Sequence, residues 1–281
     1  VLTKLADWMG YSPSPTPEAL IMALRQTNNV IDRPAANLLE TLRARTSYRR
    51  SALAAASQFG RELTNEEIAG NLHLANPTSG SATVTRDAAG LLTVEIPKAA
   101  GVVDLSPLRN LEVHTLRVHG AVDLDWHTLH TLPLVVLDLQ DCAIQGLGTS
   151  MLNRGLQHVR TLNVSNTRIP DLREIAQLPM IDNLDISKTP IRNLLPLSGR
   201  RLQQLNIANC TASPLSVLDW MPLQTLILSP TLCADLKANP RLRSSRTLQV
   251  IRAPDDKEEQ TSTDFWRRLD AGDYDKTADA Q

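Results

Sequence analysis

Four histidines stand close together near the middle of the chain: His114, His119, His127 and His130. On a helix, His127 and His130 would offer two imidazoles from one face, the beginning of a zinc site. A closed zinc site takes four ligands, and no Asp, Glu or Cys follows at a spacing that completes one. Packing and surface histidines, and no bound metal, are the expectation. Gly146-Leu147-Gly148 lacks the third glycine and the strand-turn-helix setting with which such loops hold dinucleotide phosphates. No Gly-x-Ser-x-Gly elbow occurs, and Cys142, Cys210 and Cys233 carry no nucleophile signature. These residues predict a chain without catalysis and without a cofactor.

The elements that place these side chains are set by a leucine register. Aligned on Leu-x-x-Leu-x-Leu, the central apolar residues are Val94, Leu116, Leu137, Leu162, Leu184, Leu205, Leu226 and Leu248, at successive intervals of 22, 21, 25, 22, 21, 21 and 22. Three positions earlier stand Leu91, Val113, Leu134, Val159, Ile181, Leu202 and Leu223, and the series fails only at Ser245. Two positions after each centre come Ile96, Val118, Leu139, Val164, Ile186, Ile207, Leu228 and Val250. The local alternation is that of a strand buried on one face. The longer period is that of a solenoid, in which each coil buries its apolar face only against its neighbours.

Five positions past the centre come Cys142, Thr167, Thr189, Cys210 and Thr231. There the chain leaves the strand, and a small inward side chain satisfies backbone groups of the bend. Cys142 and Cys210 are thus expected as reduced packing residues, too far apart along the stack to pair. The 25-residue interval predicts one longer loop at Gly148-Thr149-Ser150-Met151. The expected fold is α/β: a leucine-rich-repeat solenoid with a curved parallel sheet, short convex turns, an N-terminal helical region and terminal caps.

Asp104-Leu105-Ser106-Pro107-Leu108, Asn193-Leu194-Leu195-Pro196-Leu197 and Ser213-Pro214-Leu215 predict brief 3₁₀ turns on the convex side, where proline needs no donor. Together with Leu132-Pro133-Leu134, Leu178-Pro179-Met180 and Met221-Pro222-Leu223, they resemble bacterial leucine-rich-repeat proteins of the short-repeat class, over roughly residues 90 to 251. With Asn76-Pro77 and the closing Phe265-Trp266…Asp270-Ala271-Gly272, the likeness narrows to the repeat region following the kinase domain in some bacterial serine/threonine kinases. That resemblance implies a sensing or docking part of a larger protein. The chain has no glycine-rich phosphate loop, His-Arg-Asp or Asp-Phe-Gly element.

Four regions follow. Residues 1–61 read as helical, with an amphipathic stretch over residues 35–56 and a basic cluster of Arg43, Arg45, Arg49 and Arg50. Residues 62–92 read as an N-terminal cap, a helix followed by a hairpin. Leu72 lies on the strand register, but Glu66-Glu67 and Asn76-Pro77 punctuate its segment as a helix. Residues 93–252 are the solenoid, with Thr247 to Ile251 as its last strand. Residues 253–281 form an acidic tail whose short helix is expected to dock Phe265, Trp266 and Leu269 on the last coil.

Net charge is −1, which draws the whole chain neither to nucleic acid nor to an anionic membrane. No apolar run is long enough to span a bilayer. The first residue is Val, which fits a fragment. Reduced cysteines lean toward a cytoplasmic setting, but an exported bacterial domain poor in cysteine would look alike.

The outward residues of the strands make the candidate partner-binding face: Arg117, His119, Asp138, Gln140, Asn163, Ser165, Asp185, Ser187 and Asn206. It is polar, acidic at its centre and poor in aromatics. The function expected is a non-catalytic module binding a protein or peptide. The alternatives are a kinase docking region and a spacer whose terminal segments do the binding.

Overall fold

The computed structural model describes residues 63–147, 156–253, 256 and 260–274. All of these but Leu63 and Thr64 belong to the unit that begins at Asn65. The expected helices of residues 1–61 with their arginine cluster, and the expected loop at Gly148–Met151, lie outside the described residues.

Helix α1 (Asn65–Ala75) carries Glu66 and Glu67 in its first turn, where carboxylates favour the helix dipole, and buries Ile68, Asn71 and Leu72. Leu72 is therefore a helix residue. Asn76 stops the helix and ties it to the first coil: its amide donates to the Asp104 carbonyl at 2.9 Å and its Oδ1 accepts the Asp104 N–H at 2.7 Å. The hairpin of β1 (Thr83–Arg86) and β2 (Leu92–Ile96) follows, its turn held by Asp87 Oδ1, which accepts the N–H groups of Ala89 and Leu91.

From β2 onward the sheet is parallel. Its strands are β4 (Val113–Val118), β6 (Val136–Asp138), β7 (Thr161–Asn163), β8 (Asn183–Asp185), β9 (Gln204–Ile207), β10 (Thr225–Leu228) and β11 (Val250–Arg252). With β1 and β2 they form one nine-stranded sheet in chain order, while β3 (Val102–Val103) and β5 (Asp123–Leu124) pair separately. Val94, Leu116, Leu137, Leu162, Leu184, Leu205 and Leu226 stand opposite one another, rung by rung, and all are buried. Each Leu so buried contributes about 1.5–3 kcal/mol. The fold is a leucine-rich-repeat solenoid.

The last rung differs from expectation. Leu226 pairs with Ile251, so Leu248 is not the central residue of its coil. Shifting the register by three resolves the failure at Ser245: Leu248, Ile251 and Ala253 now match Leu223, Leu226 and Leu228, and all six are buried. The extra residues are taken up by helices. Helix α3 (Pro230–Asp235), a 3₁₀ turn (Leu236–Ala238) and α4 (Pro240–Arg243), which Asn239-Pro240 opens, replace the short convex turn. Thr231 consequently sits exposed in α3, while Cys233 Sγ turns inward to the Ser229 carbonyl at 3.4 Å. Elsewhere the convex side has the expected 3₁₀ turns, at Ser106–Leu108, Leu195–Leu197 and Leu215–Trp220, with a further one at Ile175–Gln177 and the short helix α2 (Trp126–Leu129).

Helix α5 (Ser262–Asp270) closes the stack. Thr261 caps it, and Phe265, Trp266 and Leu269 are buried. Under it lies a polar network. Arg268 Nη1 donates to Asp256 Oδ1 at 2.6 Å and to Gln260 Oε1 at 2.8 Å, and the Tyr274 hydroxyl donates to Asp256 Oδ2 at 2.8 Å. The three cysteines are free and buried.

Candidate functional site

The outward residues one position past each centre form an unbroken column: Glu95, Arg117, Asp138, Asn163, Asp185, Asn206, Ile227 and Arg252 are successive partners across the sheet. The structure thus aligns Arg117, Asp138, Asn163, Asp185 and Asn206 on one face, half-exposed.

These side chains are already engaged. Asp138, Asn163, Asp185 and Asn206 each accept, through Oδ1, the backbone N–H two residues on, from Gln140, Ser165, Ser187 and Ala208, at 3.1, 2.9, 2.9 and 3.1 Å. Each forms an Asx turn that starts the bend out of its strand. Asn206 Nδ2 also donates to Asp185 Oδ2 at 2.7 Å, joining two coils, and the Ser187 hydroxyl donates to Asp185 Oδ1 at 2.7 Å. Asp185 is satisfied three times. At the other end Arg117 is ion-paired with Glu95. His119 Nε2 lies 3.4 Å from Asp138 Oδ1 without hydrogen-bonding geometry.

The bend removes two candidates from the accessible face. Ser165 is 7% and Ser187 8% exposed, because the chain turns into the core directly after the strand. Gln140 stays half-exposed and its amide donates to Asp141 Oδ2 at 3.2 Å. The polar character of this face therefore serves the stack first.

The next residue of the bend forms a second periodic feature that sequence reasoning missed. Gly120, Asp141, Asn166, Lys188 and Asn209, each four past its centre, all have positive φ, at 84°, 62°, 55°, 58° and 58°. The N–H groups of Asp141, Asn166 and Lys188 donate to the Ser165, Ser187 and Ala208 carbonyls of the next coil at 3.0, 2.9 and 2.9 Å. The signal was available, since Gly, Asp and Asn are the residues that tolerate a left-handed backbone. Lys188 is the exception. Inside the bend, Thr167 and Thr189 hydroxyls donate to the Val164 and Ile186 carbonyls at 2.7 and 2.6 Å. Cys142 and Cys210 thiols reach Val118 and Ile186 carbonyls at 3.1 and 3.0 Å. Burial pushes the Cys142 thiol up, and the Cys233 thiol to about 12, which suits packing and not nucleophilic attack.

The histidines do not converge. His127 is exposed, whereas His130 Nε2 lies 3.2 Å from the Leu147 carbonyl. Among the described residues no group of three or more His, Cys, Asp or Glu is arranged to hold a metal ion, and no helix is long and apolar enough to cross a membrane.

No protein-family model and no curated protein matches the chain. Among solved structures it is similar to internalin C2 of Listeria monocytogenes, at 23% identity and a TM-score of 0.47, over 67% of this chain and 85% of that one. It is also similar to a second internalin of that organism, inlF, at 19% identity and a TM-score of 0.40, over 54% of this chain and 53% of that one.

Proposed function

We propose that the chain is a non-catalytic protein-interaction module that uses the outer face of its sheet. One observation carries this reading: the outward side chains are held in place before any partner arrives, through the Asx turns of Asp138, Asn163, Asp185 and Asn206 and the Asn206–Asp185 bond. Ordering a side chain on binding costs about 0.5–1.5 kcal/mol, and a face that is already ordered avoids that cost. The contact residues are then those with no capping duty, such as Thr115, Val136, Gln204 and Thr225, beside the ordered polar column.

The test is a quantitative pull-down with the intact chain and with Val136→Arg and Gln204→Arg. Both place a bulky cation on the face without touching an Asx turn. Partner capture falls about tenfold or more while thermal melting stays the same; unchanged capture removes this face as the binding site.

A second reading, attachment to a larger bacterial serine/threonine kinase, rests on the closing segment from Phe265 to Gly272. The full open reading frame decides it, and a gene without an upstream kinase domain ends it.

A further inference from the structure

The convex side carries a surface of a different kind. Trp220, the last residue of the 3₁₀ turn Leu215–Trp220, is 73% exposed, more than any other large apolar side chain among the described residues. The repeat does not call for it. Leu218 and Leu223 flank Trp220 as Leu197 and Leu202 flank Gly199 one coil earlier; all four leucines are buried, and Gly199 stands in open space. An indole in that position leaves a large apolar area in water that the stack itself does not use.

Arg241, on α4, lies over this ring, its guanidinium carbon 4.1 Å from the centroid. A cation–π contact of this length keeps the guanidinium charge against the ring. Its neighbour Arg243 is neutralised by a paired contact to Asp270. Arg241 has no such partner: among the described residues it makes no ion pair, and it is exposed. Arg246, in the following turn, is likewise exposed and without an ion pair. Trp and Arg are the residue types most enriched in binding hot spots, and here one orders the other. The outer face of the sheet offers no comparable pair.

We propose that the Trp220–Arg241 corner is a second binding site, for an acidic peptide segment of a partner protein. A carboxylate of the peptide pairs with the Arg241 guanidinium through its in-plane N–H groups. An apolar side chain next to that carboxylate covers the open part of the Trp220 indole. The charge is complementary and the indole contributes desolvation, so both residues are needed together.

The probe is a phage-displayed library of random dodecapeptides, selected on the intact chain. The selected peptides carry Asp or Glu adjacent to an aromatic or large aliphatic residue. A synthetic peptide of that consensus loses affinity about tenfold or more with Trp220→Ala and with Arg241→Ala. It keeps its affinity with Gln204→Arg, which separates this site from the outer face of the sheet whether or not that face binds anything. Thermal melting of the two corner variants matches that of the unaltered chain. The proposal is overturned by a selection without acidic enrichment, by binding that survives both corner replacements, or by binding lost to Gln204→Arg instead. Equal retention of heparin or oligo-dT at Arg241 also overturns it, since the corner would then read charge alone.

Discussion

Asp185 and Asn206 join adjacent coils on the outer face of the sheet, Asn206 Nδ2 donating to Asp185 Oδ2 at 2.7 Å while Asp185 Oδ1 holds the bend of its own coil. A residue with the look of a ligand contact is thus a structural joint. Asp185→Ala is expected to cost about 1–3 kcal/mol, and Asn206→Ala somewhat less. A double-mutant cycle by urea denaturation yields a coupling of about 0.5 kcal/mol or more. Strictly additive losses would show that the bond contributes nothing.

Lys188 occupies a left-handed backbone position, at φ 58°, where the neighbouring coils have Asn166 and Asn209. Its side chain is exposed, so nothing in the packing requires a lysine there. Lys188→Gly or Lys188→Asn relieves a backbone cost of about 1 kcal/mol. The urea midpoint rises in either variant; a fall would mean that the lysine side chain stabilises the bend.

The shifted last rung separates two registers by mutation. With Ile251 opposite Leu226, Ile251→Ala removes a fully buried side chain and costs about 2–5 kcal/mol. Gln249 and Val250 face outward or sideways, and Gln249→Ala costs little. In the unshifted register Val250, two past Leu248, is the inward residue, so calorimetry that found Val250→Ala costlier than Ile251→Ala would restore that reading.

The closing network gives a pH dependence. Burial by itself would raise the Asp256 carboxyl, but the Ala253 N–H, Arg268 and the Tyr274 hydroxyl together hold it below the ordinary carboxylate range. A carboxyl lowered in the folded state stabilises above its unfolded value, near 4. That contribution is lost as pH falls through the folded value. Melting monitored between pH 6 and pH 3 therefore shows a drop at the acid end that is smaller in Asp256→Asn than in the unaltered chain. Burial also raises the Tyr274 hydroxyl to about 12, so it remains a donor to Asp256 throughout this range.

The candidate site was only half legible in the sequence. The column Arg117, Asp138, Asn163, Asp185 and Asn206 followed from strand alternation, because a period of two leaves no choice of face. That the same carboxylates and amides are spent on Asx turns did not follow, since an outward Asp looks alike whether it caps a bend or awaits a ligand. Ser165 and Ser187 were assigned outward by counting, but the left-handed residue right after each turns the chain inward and buries them.

The leucine spacing by itself determined the stack, since coils with one apolar edge each can exclude water only by lying on one another. It determined the helix at Leu72 through its acidic start and Asn-Pro stop, and the docking of Phe265, Trp266 and Leu269 through their apolar surface. Tertiary structure decided where the repeat yields. Helices at the C-terminal end absorb extra residues and move the rung from Leu248 to Ile251, and they bring Arg241 over Trp220 from a different coil. Periodicity describes contacts between equivalent positions; a contact between non-equivalent ones exists only once the chain has closed on itself.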